Sequence, residues 1–228
     1  MYLYKIENGS NKLILFFAGW GMDEQPFIGI KSKEYDVFII YDYSVFEDFT
    51  NIKQEILKYS QICLIAWSMG VWAAERCLEN ESICFTKAIA INGTLKPIND
   101  VEGIPESIYN GTIKNLPEVL PKFNLRMCGG KNGLEYYLER CSKRNALEIK
   151  EELIKIKELF LQENSTNHNS VKWDYSIISL KDNIFPTNNQ LTFWERYKRA
   201  KIIKIDSDHY PFKLLNNWEK IIELCTLK

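Results

Sequence analysis

The most informative part of the sequence is Ile62-Cys-Leu-Ile-Ala-Trp-Ser-Met-Gly70, followed by Val71-Trp-Ala-Ala-Glu-Arg-Cys-Leu78. Its first half is a continuous apolar run typical of a buried strand, and its second half is typical of a helix. Ser68 lies at the junction, within Ala66-Trp-Ser-Met-Gly70. This is the G-x-S-x-G pattern of a nucleophile elbow, with alanine in place of the first glycine.

The spacing of the elbow pattern has a physical cause. A strained strand-to-helix turn presents the serine hydroxyl above the sheet edge, and small residues two positions on either side let the helix approach the neighbouring strand. Ala66 and Gly70 meet this requirement. The helix N-terminus also places backbone N–H groups near negative charge that develops at the serine. We therefore predict Ser68 as a nucleophile; the alternative is that Ser68 only caps the helix.

Further apolar runs on both sides of the elbow predict more buried strands, which alternate with helices. This alternation predicts an α/β fold with a mostly parallel, doubly wound sheet. The predicted strands are Lys12–Phe17, Asp36–Tyr41, Gln61–Ala66, Thr86–Ile91, Tyr175–Leu180 and Lys201–Ile205, with a candidate edge strand at residues 2–7. The predicted helices are Thr50–Tyr59, Met69–Leu78 and Leu214–Leu224.

The alternation breaks between Thr94 and Trp173. That segment contains four prolines and a long helical pattern from Asn145 to Leu161. A segment of this length without strand character, between two sheet strands, is typical of an insertion over the strand ends. We predict one domain over residues 1–228, with a helical cap inserted at residues 94–173.

The general base has two candidates, because the chain contains only His168 and His209. His168 lies in a polar loop, where a solvated surface role is expected. His209 follows the last predicted strand, within Lys204-Ile-Asp-Ser-Asp-His-Tyr-Pro-Phe212. A serine hydrolase with this elbow requires the chain order serine, acid, histidine, so we predict His209 as the base.

The acid is expected between the serine and the histidine, at the carboxyl end of a strand. Asp182 directly follows the strand predicted at Tyr175–Leu180, whereas Asp174 precedes that strand. Asp206 and Asp208 lie too near the histidine in sequence. The strand before the cap ends in Asn-Gly rather than in a carboxylate. Asp182 is therefore the predicted acid, which would orient the imidazole and stabilise its charged form.

A nucleophilic serine also needs two backbone N–H donors for the tetrahedral oxygen. One is predicted from Met69, the residue after the nucleophile. The other is predicted from the loop after the first buried strand, which reads Phe17-Ala-Gly-Trp-Gly-Met22. Gly19 and Gly21 let this backbone turn inward, so Trp20 is the predicted donor. Without a nucleophilic serine, the glycine pair would indicate a simple tight turn.

Composition excludes several functions. The 228 residues carry 29 basic and 30 acidic side chains, so no global field directs the protein to nucleic acid. No apolar run approaches the ~20 residues that cross a bilayer, and Met1-Tyr-Leu-Tyr-Lys5 has no feature of a signal peptide. We predict a cytoplasmic protein without membrane insertion.

The cysteines and histidines indicate neither a metal nor a cofactor. Two distant histidines and dispersed thiols offer no ligand spacing for a metal. No C-x-x-C pair is present, and we expect reduced core thiols rather than disulfides. The six cysteines are Cys63, Cys77, Cys84, Cys128, Cys141 and Cys225.

Four motifs together resemble a known family. They are Phe17-Ala-Gly-Trp-Gly21, Ala66-Trp-Ser-Met-Gly70, Lys181-Asp182 and Asp208-His-Tyr-Pro-Phe212. The chain resembles the pimeloyl–acyl-carrier-protein methyl ester esterases of biotin synthesis, and more closely their BioG-type branch of the α/β-hydrolase superfamily. The similarity covers most of the chain and is least specific in residues 94–173. Ala66 and Ala18 depart from the pattern of many hydrolases, but neither removes a catalytic group.

The resemblance implies an α/β-hydrolase fold, a triad of Ser68, Asp182 and His209, and oxyanion donors at Trp20 and Met69. It also implies hydrolysis of the methyl ester of a pimeloyl chain held on acyl carrier protein. Because a carrier protein is acidic, a basic docking patch would be expected; a solvated helix face is the alternative, since glutamates are interleaved. The basic residues of the predicted cap are Lys122, Arg126, Lys131, Arg140, Lys143, Arg144 and Lys150.

Two other functions stay open from the sequence. A general short-chain carboxylesterase, a thioesterase or a peptidase would use the same triad, so the motifs do not separate these substrates. A non-catalytic binding module of the same fold is the alternative from another class. Such a module is expected to lack a member of the triad, and none is missing here.

Overall fold

A computed structural model describes residues 1–46, 49–79, 81–162 and 170–226. In it, seven strands form one sheet in the order β1-β3-β2-β4-β5-β6-β7. β1 pairs antiparallel with β3, and the other neighbouring strands are parallel. The strands are β1 Tyr2–Ile6, β2 Lys12–Phe17, β3 Asp36–Tyr41, β4 Gln61–Trp67, β5 Lys87–Ile91, β6 Tyr175–Ser179 and β7 Lys201–Ile205.

The strand predictions are confirmed to within one residue at their ends. β2, β3 and β7 have the predicted bounds, and β4 extends one residue further, to Trp67. Continuous apolar runs predict these strands because the central strands are covered on both faces. β4, for example, is buried from its second residue onward. The candidate edge strand is present as β1, which is half exposed.

Eight α-helices lie within the described ranges. They are α1 Thr50–Ile56, α2 Met69–Cys77, α3 Glu106–Asn115, α4 Leu120–Met127, α5 Lys131–Leu138, α6 Ala146–Gln162, α7 Thr187–Tyr197 and α8 Trp218–Leu224. Four of them, α3 to α6, come between β5 and β6. The longest, α6, corresponds to the helical pattern predicted from Asn145 to Leu161.

Two helix predictions were wrong at one end. The C-terminal helix begins at Trp218 rather than Leu214, because the Asn217 side chain accepts a hydrogen bond from the Lys220 N–H and caps it there. The preceding Pro211–Lys213 form a separate 3₁₀ turn. The first helix ends at Ile56 rather than Tyr59.

The cysteines follow the core prediction with one clear exception. Four of them are buried, whereas Cys84 is exposed and Cys141 is half-buried; all six are free thiols. Burial raises the pKa of Cys63, Cys128 and Cys225 to about 12, because an apolar environment disfavours the thiolate. None of the helices in the described ranges is long and apolar enough to cross a membrane.

The nucleophile helix packs directly onto the backbone of β2. A Cβ added at Gly70 of α2 would lie 2.4 Å from the carbonyl oxygens of both Phe17 and Ala18. These are backbone atoms, which cannot rotate away as a side chain can. Glycine is therefore required at this position by the distance between the helix and the strand, as the elbow pattern predicts.

We expect Gly70→Ala to lower the free energy of unfolding by about 3 kcal/mol or more, because the methyl group overpacks a rigid backbone contact. Gly111→Ala is a matched control, since Gly111 is inside α3 and an added Cβ there meets nothing within 4 Å. The free energy of unfolding of that variant should rise by about 0.8 kcal/mol, because alanine has a higher helix propensity than glycine. Urea unfolding measures both; equal stability of the two variants would contradict the packing argument.

Candidate active site

Ser68 has the backbone geometry of a strained turn. It follows β4, precedes α2 and has a φ of 58° with a ψ of −125°, a conformation that a non-glycine residue rarely adopts. Its N–H donates to the carbonyl of Ile91 at the end of β5. Its side chain makes no capping hydrogen bond to α2. The alternative interpretation, that Ser68 only caps the helix, is therefore wrong.

The structure brings Ser68, His209 and Asp182 into one hydrogen-bonded chain. Ser68 Oγ lies 2.9 Å from His209 Nε2, and His209 Nδ1 lies 2.7 Å from Asp182 Oδ2. All three residues are buried, with relative exposures of 6%, 2% and 6%. A hydroxyl, an imidazole and a carboxylate in this order can move a proton from the serine to the histidine.

The Asp182 carboxylate is held by three further donors. Oδ1 accepts from the backbone N–H groups of Ile184 and Phe185, at 2.9 and 2.8 Å. Oδ2 accepts from Gln190 Nε2 at 3.0 Å, and this amide also donates to the Phe185 carbonyl. These bonds fix the plane of the carboxylate that faces the imidazole. Gln190, fully buried on α7, was not identified from the sequence.

The other acid candidates lie elsewhere, as the sequence predicted. Asp174 accepts from the Ala88 N–H before β6, at the opposite end of that strand. Asp206 pairs with Lys181 on the surface at 2.7 Å. Asp208 packs against Gly129, and partial burial raises its pKa. His168 lies outside the described residues.

Asn92 holds the loop that carries His209, a role that the sequence did not reveal. Its Nδ2 donates to the His209 carbonyl at 2.9 Å and to Ser179 Oγ at 2.8 Å, and its Oδ1 accepts from the Ser179 N–H at 2.7 Å. Trp67 Nε1 donates to the same His209 carbonyl at 2.9 Å. The sequence pattern indicates only that the strand end at Asn92 lacks a carboxylate. The sequence feature that could have indicated this role is a polar residue directly after a buried strand.

The glycine-rich loop after β2 turns back beside the nucleophile. A Cβ added at Gly19 would lie 2.9 Å from the Trp67 ring and 3.2 Å from the Ser68 Cβ, and Gly21 has a φ of 73°. Trp20 and Met69 line the same pocket as Ser68. In the part of the chain that the structure describes, the backbone N–H groups of Trp20 and Met69 have no protein acceptor. Both are free to donate to a ligand oxygen.

The pocket above Ser68 is mostly apolar, and helices α3, α4 and α6 contribute to it. Arg126 is an exposed cation in its lining. Tyr109 donates its hydroxyl to the Leu153 carbonyl at 2.8 Å, and burial raises the pKa of this phenol well above its usual range, so Tyr109 stays neutral. Besides Trp20, Trp67 and Met69, the apolar lining residues are Ile104, Ile108, Tyr109, Phe123, Met127, Leu153 and Ile184.

Comparison with known proteins identifies the family. A family model described as "Pimeloyl-ACP methyl esterase BioG" matches residues 1–221. The chain belongs to the BioG family. The description of this family names a methyl esterase, which is the class of enzyme that the elbow and its partners predict.

One solved structure supports the BioG assignment, and a sequence relative and a second structure are similar to the chain over nearly its whole length. A crystal structure of BioG from Haemophilus influenzae superposes with a TM-score of 0.86 at 33% identity, covering 97% of this chain and 99% of that one. An uncharacterized protein of Haemophilus influenzae is 36% identical over 211 residues, which are 92% of this chain and 93% of that protein. An esterase from Exiguobacterium antarcticum superposes with a TM-score of 0.72 at 15% identity, covering 99% of this chain and 95% of that one. The predicted α/β-hydrolase fold is confirmed.

A second curated relative is much longer than this chain. A "Malonyl-[acyl-carrier protein] O-methyltransferase" of Bacteroides fragilis is 40% identical over 203 residues, which are 89% of this chain. The chain spans 40% of the length of that relative. Only one part of that longer protein is therefore similar to this BioG-family chain.

The basic residues predicted as a docking patch differ in their accessibility. Arg144 is nearly buried and pairs with Glu152 and Asp42, at 2.6 and 3.1 Å, so it is unavailable to a partner. The Arg140 guanidinium packs over Gly29. Lys122, Arg126 and Lys131 are exposed on or beside α4 and α5. Arg144 is therefore not part of a basic docking patch on this BioG-family chain.

We expect Asn92→Ala to lower the free energy of unfolding by about 2–4 kcal/mol, because the buried Ser179 N–H loses its acceptor. The rate of ester hydrolysis should also fall, since the His209 carbonyl keeps only the bond from Trp67 Nε1. Asn189→Ala is the control: Asn189 Nδ2 also donates to two carbonyls, those of Asp100 and Gly103, but near the surface. Urea unfolding and steady-state kinetics test this, and equal effects of the two variants would contradict it.

Proposed function

We propose that this protein hydrolyses the methyl ester of pimeloyl–acyl carrier protein in biotin synthesis, through an acyl-enzyme on Ser68. The observation that carries the proposal is the hydrogen-bonded chain from Ser68 Oγ through His209 to Asp182, at 2.9 and 2.7 Å, inside an apolar pocket of a BioG-family protein.

In the first half of the reaction, Ser68 Oγ attacks the carbonyl carbon of the ester. His209 Nε2 takes the hydroxyl proton, while its Nδ1–H donates to Asp182, which holds the tautomer and stabilises the imidazolium. The carbonyl oxygen becomes an oxyanion that accepts from the N–H groups of Trp20 and Met69. When the C–O bond to the methoxy group breaks, His209 returns its proton and methanol leaves.

In the second half, water replaces methanol as the attacking group. His209 takes a proton from this water, whose oxygen adds to the acyl carbon, and the same oxyanion forms at the same two donors. Collapse breaks the bond to Ser68 Oγ, which regains its proton from His209. The product is a free carboxylate at the end of the carrier-bound chain, and the enzyme returns to its starting state.

The chemistry of the pocket suits a carrier-bound acyl chain. Its apolar walls, including Ile108, Phe123 and Leu153, match a methylene chain whose ester end lies at Ser68. The exposed Arg126 is placed to attract an anionic carrier and its phosphate-bearing arm. The Bacteroides relative is named for methylating a carrier-bound acid, which forms the kind of ester bond that this enzyme would break. A cytoplasmic location stays a prediction.

The sequence leaves two alternative functions: an esterase or thioesterase with another substrate, and a protein that binds a ligand without catalysis. A general carboxylesterase or thioesterase would use the same three side chains, and only the substrate separates it from the proposal. A non-catalytic binding module is disfavoured, because Ser68, His209 and Asp182 keep both hydrogen bonds of a working triad.

We expect a fluorophosphonate probe to label the wild-type protein at Ser68 and not to label Ser68→Ala. His209→Gln should label at least ~100-fold more slowly, because the serine loses its base. Intact-protein mass spectrometry measures the adduct. Labelling of Ser68→Ala at the wild-type rate would reject the proposed nucleophile, and an unlabelled, folded wild type would favour the binding module.

We expect kcat/KM for pimeloyl methyl ester on acyl carrier protein to exceed that for free monomethyl pimelate, because the carrier adds binding energy outside the pocket. Arg126→Ala should lower the carrier-bound value and leave the free-ester value nearly unchanged. Methanol release measures both reactions, with Lys155→Ala on the exposed face of α6 as a control. Equal rates on the two esters would favour a general esterase.

A further inference from the structure

A buried carboxylate on α6 contacts the loop that carries Trp20. Glu152 is fully buried, and its Oε2 accepts from the Gly21 N–H at 3.1 Å and from Arg144 Nη1 at 2.6 Å. Its Oε1 accepts from the Tyr43 N–H at 2.9 Å. One carboxylate therefore joins the loop after β2 to the loop after β3, from a helix that lies over both.

The second of these loops supports the first from its other side. Tyr43 donates its hydroxyl to the Ala18 carbonyl at 2.7 Å, and the Ala18 N–H donates to Ile40 in β3. Glu152 thus holds the Gly21 end of the loop directly and the Ala18 end through Tyr43. One peptide group, from Gly19 to Trp20, lies between the two held peptides, and it carries the N–H of Trp20.

The helix holds the Trp20 side chain as well. Trp20 Nε1 donates to the Ile149 carbonyl at 2.7 Å, and a Cβ added at Gly21 would lie 3.3 Å from the Ile149 Cγ2. Ile149 is one turn before Glu152 on the same face of α6. The indole N–H and the Gly21 N–H therefore both have acceptors on α6, whereas the backbone N–H of Trp20, a residue of the pocket lining, donates to no protein acceptor in the described residues.

The network needs a carboxylate rather than an amide. Glu152 accepts three donors, and two of them are backbone N–H groups that point at different oxygens. A glutamine has one accepting oxygen, so its NH₂ group would face one of the N–H donors. Arg144 balances the buried charge and itself pairs with Asp42 at 3.1 Å, as a buried ion requires.

We propose that Glu152 is a positioning residue for ester hydrolysis, which orients the Trp20 N–H toward the oxyanion by holding both ends of the loop. This inference rests on the proposed function, because it assigns the loop to the oxyanion hole. Glu152 acts through the backbone and does not touch the substrate. A carboxylate that only anchored α6 to the sheet would stabilise the fold without changing the transition state selectively.

The test compares Glu152→Gln with Glu75→Gln, using p-nitrophenyl acetate at a temperature where both variants are folded. Glu75 is a buried carboxylate on α2 that accepts from the N–H groups of Ser170 and Val171 and from Trp173 Nε1, away from the loop. We expect Glu152→Gln to lower kcat at least ~10-fold with KM within about twofold, since a displaced oxyanion donor weakens only the transition state. Glu75→Gln should lose stability but keep kcat.

A second readout separates positioning from a general loss of structure. Phenylboronic acid forms a tetrahedral adduct on the serine with an oxygen in the oxyanion hole, so its inhibition constant should rise in Glu152→Gln by the same factor as kcat/KM falls. Equal effects of Glu152→Gln and Glu75→Gln on kcat, or an unchanged inhibition constant, would overturn the proposal.

If Glu152→Gln does not fold, Tyr43→Phe tests the same loop. It removes only the hydroxyl that holds the Ala18 carbonyl, so kcat should fall about 3–10-fold with KM unchanged, as expected when one neutral hydrogen bond is lost. A wild-type kcat in Tyr43→Phe would overturn the proposal. These outcomes differ from failure of the proposed function, which would appear as a fully active Ser68→Ala or as equal rates on the free and carrier-bound esters.

Discussion

Convergence at the carboxyl edge of the parallel sheet is the constraint on which the site depends. Ser68 follows β4, Asp182 follows β6 and His209 follows β7, and parallel strands end at the same edge. β6 and β7 are neighbours, so the acid and the base meet directly. β5 separates β4 from β6, and Asn92 at its end bridges the gap through Ser179 and the His209 carbonyl.

The strained turn at Ser68 persists because the surrounding backbone leaves it no room to relax. α2 packs against β2 at Gly70, and a Cβ at Gly93 would lie 2.2 Å from the Ser68 carbonyl oxygen. A residue at positive φ costs of order 1–3 kcal/mol and is kept only where neighbouring contacts determine it. The two glycines supply these contacts, and the result is a hydroxyl that points out of the sheet toward His209.

α6 belongs to the site as much as the sheet does. Its Leu153 lines the pocket, its Ile149 carbonyl accepts from the Trp20 indole, and its Glu152 accepts from two loops of the sheet edge. Moving this helix away would expose the Glu152 carboxylate and break the ion pair between Arg144, just before the helix, and Asp42, a cost of several kcal/mol. Access to the pocket is therefore expected through α3 and α4 rather than through displacement of α6.

The local pattern of the chain was enough to predict the strands, the elbow, and the three side chains Ser68, Asp182 and His209. Apolar runs buried on both faces have few other conformations open to them, and Ala66-Trp-Ser-Met-Gly70 specifies a turn through steric limits that act over a few residues. The order serine, acid, histidine and the scarcity of histidines then left one base and one strand-end carboxylate. The start of α8 was missed because a single capping side chain, Asn217, determines it.

Tertiary structure alone decided which polar side chains support these groups. Asn92 and Glu152 lie 87 to 131 residues from the backbone groups of Ser179, His209, Tyr43 and Gly21 that they hold. Gln190 lies eight residues from Asp182, on the following helix. Each of the three resembles an ordinary polar residue of a strand end or helix. Arg144 looked like a surface cation of a helical segment, but packing buries it against Glu152 and Asp42. A linear pattern carries steric and periodic information over a few residues, whereas hydrogen bonds between distant segments exist only after the sheet and its helices have assembled.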